Sequence, residues 1–195
     1  LTIGGGGVKL LELANAYACL ARQGIYLPVN LWNTQPAEDA GLRIFDPTAC
    51  YLLADIMADN DARVRSFGSR SSLRLPFPVA VKTGTSTDYR DNWTIGFTPQ
   101  YTVAVWVGNF DSSPMRGVSG VTGAAPIFRD IFTWLDARWP SPWYQQPASI
   151  VLREVDPLTG LPLPGSLRGK RPVVVEKFRL VAVVLGLAVF AGLLL

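Results

Sequence analysis

Lys82, Thr83 and Gly84 stand in order within Val79-Ala80-Val81-Lys82-Thr83-Gly84-Thr85-Ser86, a stretch whose β-branched residues suit a strand. A cation, a hydroxyl and a position without a side chain therefore fall within one short segment. A lysine ammonium beside a threonine hydroxyl can hold a carboxylate, and a glycine within a strand admits close approach of another backbone. At a sheet edge the strand's amides could also pair with an extended peptide and donate to an oxyanion. Taken alone the triplet is weak, since average residue usage places Lys-Thr-Gly somewhere in a chain of 195 residues about 5% of the time. An ordinary strand with an exposed lysine would look the same.

Other chemistry is narrowed by what the sequence omits. There is no histidine, so Ser-His-Asp and Cys-His pairs are impossible and the commonest zinc ligand is missing. A nucleophile would need a lysine or a carboxylate as its base. Asp59, Asp61 and Asp111 lack the spacing of a calcium loop, and neither a metal nor a cofactor is expected. Cys19 and Cys50 have no CxxC partner and lie in helical patterns, which favours buried thiols over a disulfide. Asp88, Arg90 and Asp91 could touch a ligand at a rim, but their turn composition favours a solvated link. Trp93, Trp106, Trp134 and Trp139 are expected in core packing.

The elements that must position the Lys82 strand follow from periodicity. Leu10, Leu11, Leu13, Ala14, Tyr17, Ala18 and Ala21 recur at helical spacing up to Gly24, after a flexible Gly4–Gly7 lead-in. Residues 25–45 form a long irregular connection with room for one short strand. Asp46-Pro47 then opens a second helix that runs to Ala58, with Asp46 as N-cap. Arg63 to Pro78 is polar, broken by Gly68, Pro76 and Pro78, and is expected as a loop. Val79–Thr85, Asn92–Thr98 and Thr102–Val107 follow as three strands, the last two joined by a hairpin-length link. After a polar loop over 111–123, Ala125-Pro126 starts a helix whose Ile127, Phe128, Ile131, Phe132, Trp134 and Leu135 are expected to share one apolar face. The pattern is α+β, an antiparallel sheet covered by helices.

Together these segments resemble a known family. The Lys82-Thr83-Gly84 stretch resembles the third signature motif of serine penicillin-recognising enzymes, whose set is SxxK, SxN and KTG. Arg90-Asp91-Asn92-Trp93, Ile95-Gly96-Phe97-Thr98 and Val105-Trp106-Val107-Gly108-Asn109 look like the strands that follow that motif in class A penicillin-binding proteins. Gly5-Gly6-Gly7-Val8 with Leu11-Glu12-Leu13-Ala14-Asn15-Ala16-Tyr17 looks like the helix that precedes it. Phe67-Gly68, Leu75 to Pro78, Pro114-Met115 and Val118 to Pro126 are closest to the 1C group of that family. The resemblance covers about residues 3–139, with weaker support from Arg153 to Gly160.

The resemblance implies the serine penicillin-recognising fold and a D,D-transpeptidase that cross-links peptidoglycan stem peptides, with a glycosyltransferase upstream. Lys82 and Thr83 would bind the carboxylate of a D-Ala-D-Ala stem or a β-lactam, and Lys82 would also organise the protons of the catalytic site. Gly84 would allow close approach, Thr85 would supply its hydroxyl and a backbone N–H, and Ser86 would lie at the margin. No serine is followed three residues later by lysine, and no Ser-x-Asn occurs. The nucleophile is therefore absent from this chain, which opens on Leu1 and is expected to be the later piece of a longer domain, inactive in isolation. A D,D-carboxypeptidase or serine β-lactamase, and a non-catalytic sensor module, are the alternative readings.

Composition sets the remaining limits. A hydrophobic fraction of 49% with 17% charged residues can build a buried core. The 18 basic and 15 acidic residues leave a net charge of +3, but they are scattered, and no basic stripe interleaves with aromatics, which argues against nucleic acid as a partner. Residues 1–139 are assigned to the transpeptidase piece, 140–172 to a Pro/Gly-rich linker or the start of another domain, and 173–195 to an apolar tail. The tail's uncharged run, Leu180 to Leu195, is sixteen residues, short of the roughly 20 that a spanning helix needs. It reads as a frameshifted terminus, an anchor or a buried helix. The family likeness places the domain on the periplasmic side of the bacterial inner membrane, held by a missing N-terminal anchor and, in one reading, by residues 180–195.

Overall fold

The computed structural model describes residues 6–32, 41–151 and 161. Outside the described residues lie Gly4 and Gly5, the middle of the 25–45 connection, the Arg153-to-Gly160 match and the apolar tail.

Helix α1 spans Leu10–Ala21 and buries Leu13, Tyr17, Leu20 and Ala21 along one side. It ends where Gln23 and Gly24 turn to positive φ, 54° and 90°. Only glycine fits at 24, because a Cβ would sit 2.2 Å from the Phe45 carbonyl oxygen. Two short strands, β1 (Ile25–Tyr26) and β2 (Leu42–Arg43), then pair antiparallel.

Helix α2 (Pro47–Ala58) begins as expected, with the Asp46 carboxylate accepting from the N–H groups of Thr48 and Ala49 and proline at the first position. It ends at Ala58, as expected, but the first part of the loop expected from Arg63 is helical. Asp59 closes α2 and at once caps a further helix, α3 (Asn60–Phe67), by accepting from Asp61 and Ala62. Helix α3 has no apolar stripe to reveal it. Arg63 holds it in place instead, donating to the carbonyls of Ala58 and Leu73 and to Asn60.

Strands β3 (Ala80–Thr85), β4 (Asp91–Phe97) and β5 (Thr102–Gly108) form an antiparallel sheet in that order. A short 3-10 turn, Thr87–Tyr89, joins the first pair. Alternation along the strands serves two cores. Ala80, Ile95 and Phe97 face α1 and α2, meeting Leu13, Tyr17, Leu53 and Ala54. Val79, Val81, Val103 and Val105 face the last helix, α4 (Ala124–Arg138), and meet Phe128 and Phe132. Gly96 makes this close packing possible, since a Cβ there would lie 2.3 Å from the Ala80 oxygen and 2.6 Å from the Phe128 ring.

Helix α4 is rotated relative to the expected face. Its buried row is Ala124, Ala125, Phe128 and Phe132, with Leu135 half-buried, whereas Ile127, Ile131 and Trp134 are exposed at 47%, 39% and 49%. The expected stripe counted every apolar residue, but only one side of the helix reaches the sheet. Trp134 and Trp139 are therefore not core residues. They meet edge to face at 5.6 Å, with the Arg138 guanidinium 4.1 Å above Trp134. Trp93 and Trp106 are half-buried. Cys19 and Cys50 are both free and buried.

Beyond α4 the chain crosses back over the first core. Trp143 and Tyr144 pack against it, the Tyr144 hydroxyl donates to the Ala21 carbonyl at 2.8 Å, and Ile150 covers Leu52.

Candidate functional site

Strand β3 pairs on one side only, through β4, so among the described residues its other edge is open. Val79 and Ala80 anchor it in opposite cores, and beyond Val81 the strand emerges into solvent. Burial therefore ends where the Lys82-Thr83-Gly84 triplet begins.

Lys82 is exposed, and its Nζ donates to the carbonyl of Thr83 at 2.6 Å. Partial loss of hydration lowers its pKa from the ordinary lysine value. No carboxylate pairs with it among the described residues. Thr83 is half-buried, and no other described residue hydrogen-bonds its hydroxyl. Gly84 sits opposite Trp93. Thr85 is exposed, and its Oγ accepts from the N–H of Gly120 at 3.0 Å. Lys82, Thr83, Gly84 and Thr85 thus present an uncompensated cation, hydroxyls and an open backbone edge in one stretch.

Ser86 is differently placed. Its hydroxyl donates to Asp91 Oδ2 at 2.9 Å and accepts from the Asp91 N–H at 2.8 Å. The other carboxylate oxygen of Asp91 accepts from the Trp106 indole at 2.9 Å. Ser86 and Asp91 therefore close the β3–β4 turn. Asp88 and Arg90, at the tip of that turn, form an exposed ion pair at 3.5 Å, the solvated link that their composition suggested. Asp88 and Tyr89 carry positive φ values of 60° and 57°, conformations that non-glycine residues adopt at a cost. Asp111 accepts from the Ser113 N–H within its own loop, and Asp59 caps α3.

Two residues that spacing did not single out complete the site's support. Gly120 bonds Thr85 from a loop 35 residues away in sequence, and buried Thr94 donates to the Gly120 carbonyl at 2.9 Å. No local pattern could reveal a contact between such distant segments.

This arrangement of an open strand edge, an ammonium without a carboxylate partner among the described residues and two neighbouring hydroxyls suits an extended ligand that ends in an anion. Comparison with known proteins gives it a family. A profile described as penicillin binding protein transpeptidase domain matches residues 1–133. The chain belongs to that family. Among relatives, penicillin-binding protein 1C of Escherichia coli K12 is 34% identical over 131 residues, 67% of this chain and 16% of that protein. Penicillin-binding protein 1A of Clostridium botulinum is 31% identical over 177 residues, 85% of this chain and 21% of the relative. A crystal structure of penicillin-binding protein 1A from Haemophilus influenzae superposes with a TM-score of 0.65 at 20% identity, over 86% of this chain and 32% of that one. At that identity the likeness speaks for the fold, which is the α+β penicillin-recognising fold. The transpeptidase-family chain thus spans about a sixth to a fifth of the length of these two curated relatives.

Proposed function

We propose that β3 is the carboxylate-binding wall of a peptidoglycan D,D-transpeptidase site, and that its ligands are the D-Ala-D-Ala end of a stem peptide and the β-lactams that mimic it. The observation that carries this reading is the edge that is open among the described residues, on which Lys82 has no acidic partner and the Thr83 hydroxyl no hydrogen bond among those residues. An ammonium and hydroxyls there would bind the terminal carboxylate, while the strand's backbone would pair with the extended peptide. A backbone N–H at Thr85 would face the developing oxyanion.

The reaction in this reading is acyl transfer. A serine oxygen attacks the carbonyl between the two D-alanines, its proton passes through a lysine base to the departing amine, and D-alanine leaves. The resulting ester then yields its acyl group to the amine of a second stem, and the serine regains its proton. Neither SxxK nor SxN occurs in this sequence, so its residues supply recognition, with Lys82 also ordering protons, and not the nucleophile. A glycosyltransferase partner domain, attachment to the cytoplasmic membrane and a periplasmic location belong to the same proposal. Among the described residues no helix is long and apolar enough to cross a membrane.

The test is an NMR titration of the chain with N-acetyl-D-alanyl-D-alanine, following backbone amides. Shifts should centre on Ala80 to Ser86 and disappear in Lys82→Gln. Shifts centred elsewhere, or an unchanged Lys82→Gln response, would count against the proposal. Benzylpenicillin should add no mass to this chain.

A further inference from the structure

Gly120 is buried, and both its backbone polar groups are engaged. Its N–H donates to Thr85 Oγ at 3.0 Å, and its carbonyl accepts from Thr94 Oγ and from the Ala125 N–H, each at 2.9 Å. Those partners lie on β3, on β4 and in the first turn of α4, so one residue ties the loop to both strands and the helix. A side chain is excluded, because a Cβ would lie 2.6 Å from the Gly84 oxygen and 2.7 Å from the Trp93 oxygen. The neighbouring turn is closed on itself: Ser119 N–H donates to Thr122 Oγ at 2.8 Å and Gly123 N–H to the Ser119 carbonyl at 2.7 Å.

A hydroxyl accepts through its lone pairs and has a single hydrogen to donate. At Thr85 the Gly120 amide already occupies the acceptor side, and no described residue takes the hydrogen. A hydroxyl that accepts one hydrogen bond becomes a better donor of its own. Thr83 and Thr85 are two residues apart on one strand and so share a face.

We propose that Gly120 is a positioning residue for carboxylate recognition: its N–H fixes the Thr85 hydroxyl so that its hydrogen is left to donate to a ligand carboxylate on β3. This rests on the carboxylate-binding reading of that strand.

The experiment measures, on the full 195-residue chain, the ratio of affinities for N-acetyl-D-alanyl-D-alanine and its C-terminal amide by NMR titration. Thr85→Val should lower the acid-to-amide ratio by roughly tenfold, the scale of a hydrogen bond to a charged group, and Thr85→Ser should restore it. Gly120→Ala should lower the ratio by roughly threefold or more, with the Thr85 hydroxyl still present but its partner displaced. Thr94→Val loosens Gly120 from its other side and should act in the same direction, which keeps the test open if Gly120→Ala does not fold. A purely structural role would weaken both ligands alike. An unchanged ratio in Thr85→Val, or in every folded variant of Gly120 and Thr94, overturns the inference. A wild-type chain that binds acid and amide equally overturns the carboxylate reading itself, and the inference with it.

Discussion

The indole N–H of Trp106 donates to Oδ1 of Asp91 at 2.9 Å, leaving Oδ2 to the hydroxyl of Ser86. Three strands are thereby joined at the end of the sheet nearest the Lys82 triplet. Ser86→Ala removes the hydroxyl that both donates to and accepts from Asp91, and should cost about 1–2 kcal/mol. The urea midpoint at constant m-value measures it; an unshifted midpoint would mean that the turn holds without this pair.

Gly96→Ala should be far more damaging, although it adds one methyl group. The new Cβ would press on the Ala80 carbonyl and the Phe128 ring at 2.3 and 2.6 Å. Overpacking of a filled core costs about 1–3 kcal/mol or more, and here backbone as well as side chain must yield. Thermal unfolding should show a large drop in Tm, partly recovered by Phe128→Leu, which clears the ring.

Cys50 provides a pH signature. Burial first, then the neighbouring Cys19 and Asp46, raise its thiol pKa from 9.0 to about 12. The folded state therefore holds the proton more tightly than the unfolded chain does. Its contribution to stability is complete below pH 9.0 and is lost as pH climbs from there through about 12. Stability should fall as pH rises from 9.0 towards about 12, and Cys50→Ala should fall less steeply over that interval; equal slopes would refute the assignment. Neither thiol should react with a disulfide reagent near neutral pH until denaturant is added.

Tyr17→Phe is expected to depart from the usual rule that core substitutions destabilise. The ring packs against Phe97 at 6.4 Å, but its buried hydroxyl has no partner among the described residues. Removing an unsatisfied polar atom should leave stability unchanged or raise it by about 1 kcal/mol. A fall in Tm of the variant would show that the hydroxyl does find a partner in solution.

Legibility in the sequence followed the range of the forces involved. Asp46-Pro47 announced α2 because capping is settled within four residues, and β4 and β5 were plain in their alternating β-branched and aromatic residues. Helix α3 escaped because Arg63 holds it through contacts reaching Leu73, and no apolar period marks it. The face of α4 was misjudged because composition supplied more apolar residues than the sheet could cover. Within the site, Lys82 to Thr85 were visible as a motif. Gly120 and Thr94 were not, since their roles arise only when a loop and two strands meet, and the engagement of Ser86 by Asp91 depended on a turn whose geometry the residue types left open.

The opposite packing of Ala80 and Val81 reaches beyond the core. Continued along the strand, the same alternation sends Lys82 to one side of the sheet and Thr83 and Thr85 to the other. The Lys82 ammonium nonetheless reaches the Thr83 carbonyl, so cation and hydroxyls come together at the strand's rim rather than on one face. A ligand that engages the two together would approach along that rim. On the carboxylate-binding reading, recognition would then belong to the strand's edge, where its two faces meet, and not to either surface alone.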